Sequence, residues 1–219
     1  MKAAWLVMTV LALAARMQSA SATDPVVQVD FANPGLSPSQ WTMTFHQDGT
    51  GHFRSQMGKP PDGGLHEIDT PSIDRDFTVS LPFSRQIFET AERHKWFNET
   101  CESHMKVAFQ GWKTFTYNGP AGQGSCTFNY SKDKEIENLG ESMQAVAQTL
   151  LEGARLELLL QHDRLGLDAE MQFLSDAAED GRAQQLIAIR EILQRLADDD
   201  AVLERVRKRA RALLERATT

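Results

Sequence analysis

Six residues that suit metal or acid–base chemistry occur within one stretch of the N-terminal half of the chain. They are His46, Asp48, His52, His66, Glu67 and Asp69. Imidazole nitrogens and carboxylate oxygens are ligands that Zn²⁺ accepts in proteins. One interpretation is therefore a metal site, with zinc as the candidate cofactor, built from His46, His52, His66 and Asp69. Their spacing matches no established metal motif, and solvent-exposed side chains that bind nothing are the simpler explanation.

The segment from Trp41 to Met57 is predicted to position two of these histidines. Its apolar residues alternate as in a β-hairpin. If Phe45 and Phe53 share the buried face, the connecting loop must contain an odd number of residues. The register that we expect from this places His46 opposite His52 on the solvent-exposed face.

Other catalytic patterns give weaker signals. No G-x-S-x-G motif presents a serine nucleophile. The glycine-rich stretch Gly119–Gly124 lacks the lysine of a phosphate-binding loop and leads into a strand, which indicates a hairpin loop. A secreted hydrolase that uses His46, His52 and the His66–Asp69 region is the enzymatic alternative that we retain.

The last predicted helix is basic, although the chain as a whole has a formal net charge of −7. Five of its cations are candidates for docking onto an acidic partner: Arg205, Arg207, Lys208, Arg209 and Arg211. A solvated helix face, with cations placed favourably near a helix C-terminus, is the simpler explanation. The negative net charge argues against nucleic acid as a partner.

The chain contains two cysteines, Cys101 and Cys126. An even number of cysteines in an exported protein favours a disulfide. Both cysteines fall on the apolar face of the strands predicted around them. A straight strand back to Cys101 would separate the two Cα atoms by more than the limit of about 7 Å for a disulfide. We therefore expect residues 101–104 to bend across the sheet so that the bridge can form.

Residues 1–22 have the pattern of a secretory signal peptide. Lys2 precedes an apolar run from Ala3 to Ala15, and Ala20-Ser21-Ala22 supplies the small residues of a cleavage site. Arg16 interrupts the run well before the roughly 20 residues needed to cross a bilayer, which disfavours an uncleaved membrane anchor. We expect cleavage after Ala22, a secreted or periplasmic location, and no membrane span in the mature chain.

The stretch from Met105 to Tyr130 predicts a meander of three antiparallel strands. The first strand, Met105–Gln110, would carry its apolar side chains on the face that also holds Phe115. A loop rich in glycine and proline would join the second and third strands, with Phe115 opposite Phe128. One face of this meander is apolar and aromatic, so another element must cover it.

Helical spacing begins in the segment Pro82–Phe97, for which Ser84 is the predicted N-cap. Such a helix covers one face of an antiparallel sheet in α+β proteins. Apolar residues then recur every three or four positions from about residue 134, which predicts one long helix and three shorter ones. Gly140 and Gly153 lie inside the long helix and indicate a kink or close packing.

These patterns predict an α+β fold in which a small antiparallel sheet, made of a hairpin and a meander, carries one covering helix and is followed by an all-helical C-terminal half. Residues 23–133 would form the sheet domain, and residues 134–219 a helical region packed on it. The preferred function is a non-catalytic, exported binding or interaction protein whose partner is a protein or a small molecule. An enzyme should have a concave pocket with converging polar groups, whereas an interaction module should have a surface patch.

Overall fold

The computed structural model describes residues 24–56 and 72–217. It contains a six-stranded antiparallel sheet with a covering helix, followed by four further α-helices, which confirms the predicted α+β class. The strands are β1 (Val26–Ala32), β2 (Gln40–His46), β3 (Thr50–Ser55), β4 (Ile73–Thr78), β5 (Trp112–Gly119) and β6 (Gly122–Phe128). The helices are α1 (Leu81–Arg93), α2 (Lys134–His162), α3 (Leu167–Glu179), α4 (Arg190–Asp198) and α5 (Glu204–Ala217), with short 3₁₀ helices at Lys95–Phe97 and Leu186–Ile189. Within the described ranges, no helix has the length and apolar character needed to cross a membrane.

The strands lie in the order β4-β3-β2-β1-β5-β6. β1 lies beside β5, at the position where the sequence predicted the strand Met105–Gln110. β5 pairs with β1, with Val29 opposite Phe115. The predicted strand Met105–Gln110 is wrong, because these residues form no strand and are exposed. The chain just before this segment is held next to the end of β6, where the Ser103 amide donates to the Tyr130 carbonyl at 2.9 Å. The edge of β5 that a meander requires is already paired with β1.

The predicted disulfide joins Cys101 to Cys126 of β6, with the two Cα atoms 5.7 Å apart. Both cysteines are buried. The chain after Cys101 turns as expected, and His104 adopts a positive φ of 54°. The bridge thus fastens an irregular segment to the edge strand of the sheet.

The β5–β6 hairpin has the predicted face but a different register. Phe115 lies opposite Cys126 rather than Phe128, and a two-residue turn replaces the predicted longer loop. Gly124 lies in β6 opposite Tyr117, and a Cβ at this position would overlap the backbone carbonyl of Trp96. The glycines of this stretch therefore allow a 3₁₀ helix to pack closely on β6.

Helix α1 begins one turn earlier than predicted. Its N-cap is Ser80 and not Ser84, and the Ser80 hydroxyl accepts a hydrogen bond from the Phe83 amide at 3.4 Å. Pro82 in the first turn favours this start, because its fixed φ suits a helix and its missing N–H has no partner there in any case. As expected, Ile87 lies on the buried side of the helix.

Helix α2 packs so closely on its neighbours that only glycine fits at two positions, which confirms the close packing expected there. A Cβ on Gly140 would lie 2.9 Å from Cδ of Lys113 in β5, and a Cβ on Gly153 would overlap the side chain of Ile189. The buried apolar side chains of the sheet and of all five helices belong to one continuous core. The long helix therefore contacts the sheet on one side and the remaining helices on the other.

A buried histidine at the end of α1 connects this helix to the start of α2. Nδ1 of His94 lies 2.7 Å from Glu99, and Nε2 lies 3.0 Å from Glu135 of α2. Burial alone would lower the pKa of His94, but the hydrogen bonds to Glu99 and Glu135 outweigh this effect and raise the pKa. The stabilisation from this contact is present at acidic pH and is lost as the pH rises through the raised pKa.

Candidate functional site

A groove of about 890 Å³ lies at the β4 edge of the sheet, where the sheet meets the helical half of the chain. Strands β3 and β4 form one wall, and the segment around the second 3₁₀ helix and the start of α4 forms the other. Its lining includes His46, Thr50, His52, Arg75, Asp76, Phe77, Thr78, Glu157, Ile187, Arg190, Glu191 and Ile192. Two of the four residues predicted for a metal site therefore lie at this groove.

Two polar contacts join the sheet half to the helical half, one within the groove and one beside it. Arg75 of β4 donates to both carboxylate oxygens of Glu157 in α2, at 3.2 and 2.5 Å. Ser80 donates its backbone amide to the side chain of Gln185 at 2.9 Å. A paired arginine and carboxylate of this kind fixes geometry as well as charge. The width of the groove is thus set by groups from both halves of the chain.

The turn between β2 and β3 places His46 at the groove. The turn has the predicted odd length, but Thr44 lies opposite His52, so the predicted pairing of His46 with His52 is wrong by two residues. Gly49 determines this register, because its φ of 84° suits the last position of a three-residue hairpin loop. Buried Ser84 donates its hydroxyl to the His46 carbonyl at 2.8 Å and holds the turn against α1.

His52 lies between two carboxylates on the solvent-exposed face of the sheet. Its Nδ1 is 2.8 Å from Asp76, which is its cross-strand partner, and its Nε2 is 2.9 Å from Asp74. Arg54 binds the second oxygen of Asp74 at 2.9 Å. Both ring nitrogens of His52 therefore face partners within the chain, and a metal ion must displace a carboxylate to reach either one.

The remaining residues of the predicted metal site, His66 and Asp69, lie outside the described residues. Across 24–56 and 72–217, no group of three histidine, cysteine, aspartate or glutamate side chains is arranged to hold a metal ion. The structure thus brings His46 and His52 to one groove without a third ligand from the described residues. The zinc site stays a prediction.

The basic residues of α5 form ion pairs within the chain. Arg205 and Arg209 both bind Asp168 of α3, at 2.8 and 2.6 Å. These hydrogen bonds lower the pKa of the Asp168 carboxyl. Arg207 pairs with Asp200 and Glu204, and Arg211 also contacts Glu204. Arg205 and Arg209 therefore link α5 to α3, whereas the contacts with Glu204 lie within α5 itself. The predicted role of the five cations in binding a partner stays a prediction.

A second surface carries exposed apolar side chains. Met105, Val107, Phe109 and Trp112 keep 37% to 51% of their surface accessible. The backbone around them is held by Asn129, which accepts from the Gln110 amide at 2.7 Å. This apolar segment, residues 105–112, alternates like a strand, but only its last residue, Trp112 at the start of β5, pairs with a described strand.

The sequence did not point to Arg75, Glu157 or the segment 187–192 as groove residues. Arg75 and Glu157 are 82 positions apart, and no spacing rule connects them. One signal was present in the strand Ile73–Thr78, where Arg75 shares the buried parity of its two apolar neighbours. A cation at such a position requires a buried or half-buried acid opposite it.

No protein family model and no curated protein sequence matches this chain.

The side chains of the groove define what the groove can do chemically. Arg75 is paired with Glu157, and the ring of His52 is hydrogen-bonded to Asp76, so both side chains already have partners within the chain. What remains for a ligand is hydrogen bonding at the charged rim and apolar contact with side chains such as Ile187.

Proposed function

We propose that this chain is an exported, non-catalytic binding protein that holds a small polar ligand in the groove at the β4 edge. The observation that carries the proposal is the groove itself. Its volume of about 890 Å³ lies within the range of roughly 300–1,000 Å³ that is typical of small-molecule sites. It also lies between two structural layers, which is a common location for such sites.

The ligand class follows from the lining. A compound with one polar or charged end can exchange hydrogen bonds with Arg75, Glu157 and Asp76, while an apolar body contacts Phe77 and Ile187. Binding is favoured over catalysis because a general base needs a nitrogen or oxygen that can reach the substrate proton. The two nitrogens of His52 face Asp74 and Asp76 instead.

Export is supported by two observations. The Cys101–Cys126 disulfide is of the kind that persists in oxidising compartments. The N-terminal sequence has the basic start, apolar run and small residues of a signal peptide. The mature protein should therefore begin at Thr23 and act outside the cytoplasm.

Binding in the groove predicts that a groove-filling variant loses its response to ligands. Thr78 of β4 is exposed at the groove, and we expect Thr78→Trp to occupy the space. The matched control is Thr127→Trp, at an exposed position of the opposite edge strand, β6. Melting temperatures are measured with a library of small carboxylates, amines, amino acids and sugars. Compounds that raise the melting temperature of the wild type should act equally on Thr127→Trp and have little effect on Thr78→Trp. An equal response of Thr78→Trp, or no active compound at all, contradicts the proposal.

A metal-binding or hydrolytic function that uses His46, His52 and the His66–Asp69 region is the second candidate, and it is favoured by the presence of both His46 and His52 at one groove. We expect added Zn²⁺ to leave the melting temperature unchanged, because both nitrogens of His52 are engaged. The double variant His46→Gln/His52→Gln should show the same lack of response to Zn²⁺. A bound metal would add about 2.7 kcal/mol of stability at a hundredfold excess over Kd. A zinc-dependent rise that the double variant loses favours the metal site over our proposal.

A further inference from the structure

Two glutamates meet in the contact between helices α2 and α3. Glu152 of α2 is completely buried, whereas the side chain of Glu170 in α3 is 21% exposed. One oxygen of Glu152, Oε1, accepts hydrogen bonds from Gln148 at 2.5 Å and from Arg155 at 3.1 Å. Arg155 also lies 3.6 Å from Oε1 of Glu170. A single arginine thus faces two acids.

The other oxygens of this cluster are the informative ones. Glu152 Oε2 and Glu170 Oε1 are both buried, and neither accepts a hydrogen bond from a donor in the described part of the chain. Buried polar atoms are rarely left without a partner, because each costs about 1–3 kcal/mol. One proton on Glu152 Oε2, donated to Glu170 Oε1, satisfies both atoms at once. Two ionised carboxylates could not share this space, since a like charge and a dry environment both disfavour it.

We propose that Glu152 and Glu170 share one proton across the α2–α3 contact, and that this contact loosens when the proton is lost at alkaline pH. The charged groups that face the pair are Arg155 from α2 and each glutamate from the other's helix. The adjacent Gly153 faces the apolar side chain of Ile189, so the neighbouring 3₁₀ helix supplies no charge there. After the proton leaves, Arg155 balances one of the two negative charges and the second stays buried without compensation.

The direction of the pKa shift of Glu152 agrees with a proton held at this contact. Burial raises the pKa of Glu152 from its ordinary 4.5 to about 9, and the hydrogen bond to Glu170 and its charge act in the same direction. Below about pH 4.5 the folded and unfolded chains both hold the proton. Between the two pKa values only the folded chain keeps it. Stability therefore falls as the pH rises through this window, and the loss is complete once the folded chain has also released the proton.

Consequences of the shared proton extend to α5. Helix α3 carries Asp168, which binds Arg205 and Arg209 of α5. A loosened α2–α3 contact should therefore also expose the seam between α3 and α5. Above neutral pH, α3 should open locally while the core that the sheet shares with α2 stays folded.

The test compares unfolding midpoints in urea at several pH values between about 5 and about 9 for the wild type and Glu152→Gln. The amide of the variant is neutral at every pH and can donate to Glu170. The unfolding equilibrium constant of the wild type should increase by up to about tenfold per pH unit relative to the variant. Glu141→Gln, at an exposed position of the same helix, is the matched control and should follow the wild type.

Parallel pH profiles of the wild type and Glu152→Gln overturn the proposal. Carboxyl ¹³C NMR titration of the wild type gives a second measurement that does not depend on the folding of any variant. One glutamate carboxyl should stay protonated at neutral pH, and amide exchange in α3, corrected for its intrinsic pH dependence, should increase at alkaline pH. Ordinary titration of every glutamate near its usual pKa, or unchanged exchange in α3, contradicts the shared proton or the loosening respectively.

Discussion

Replacement of Met143 by aspartate should unfold the sheet and the helices together. Met143 is completely buried on α2, within the core that both halves of the chain share. A carboxylate at this position loses its hydration without gaining a partner, which should cost more than about 4 kcal/mol. Thermal melting is followed by far-UV circular dichroism for the helices and by near-UV signals for the aromatic residues of the sheet. Both signals should be lost in one transition at a much lower temperature than in the wild type.

The matched control is Asn138→Asp, which adds the same charge at an exposed position of the same helix. It should melt like the wild type, within about 0.5 kcal/mol. A chain truncated after Lys132 should be insoluble or lack fixed packing, because the sheet then loses α2 as a cover. A well-dispersed NMR spectrum and a cooperative melt of this truncated chain would mean that the sheet folds independently.

Removal of the disulfide should have the second largest effect. Cys101 and Cys126 are 25 residues apart in the sequence, and closing a loop of this size stabilises a fold by about 3 kcal/mol in the chain-entropy model. Cys101→Ser/Cys126→Ser should lower the free energy of unfolding in urea by about this amount. Reduced wild-type protein is the control and should match the double variant.

The state of the cysteines can be measured by intact mass after denaturation and alkylation without a reductant. We expect no alkylated cysteine in the exported protein, and a mass that begins at Thr23. Two alkylated cysteines contradict the disulfide. A mass that includes residues 1–22 contradicts the predicted cleavage after Ala22.

Face assignments were predictable from the sequence because they depend only on alternation within a strand. Phe45, Phe53 and Phe115 are buried on the predicted face. Register was less predictable, since it depends on the turn and on what packs over the strand. Gly124 was assigned to a loop because of its glycine-rich surroundings, yet it lies in β6, where glycine is needed because the backbone of Trp96 comes so close. At Met105–Gln110 the alternation of apolar and polar residues led to a wrong prediction, because this segment is exposed and pairs with none of the described strands.

The candidate site was predictable only in part. His46 and His52 were expected opposite each other; both lie at the groove, but in a register that differs by two residues from the predicted one. Arg75, Glu157 and the segment 187–192 come from distant parts of the sequence, and only the folded chain brings them to the groove. The five cations of α5 illustrate the same limit. Their partner Asp168 lies on a different helix, which a local charge pattern does not reveal.

Backbone amide chemical-shift mapping tests the central claim most directly. The probe is the compound from the library that raises the melting temperature of the wild type most, titrated into ¹⁵N-labelled protein. We predict that the largest shifts occur on both walls of the groove, at residues 50–52 of β3 and residues 187–192, and that they are absent in Thr78→Trp. Shifts confined to the apolar segment 105–112, or shifts that persist in Thr78→Trp, would contradict a ligand site at the β4 edge.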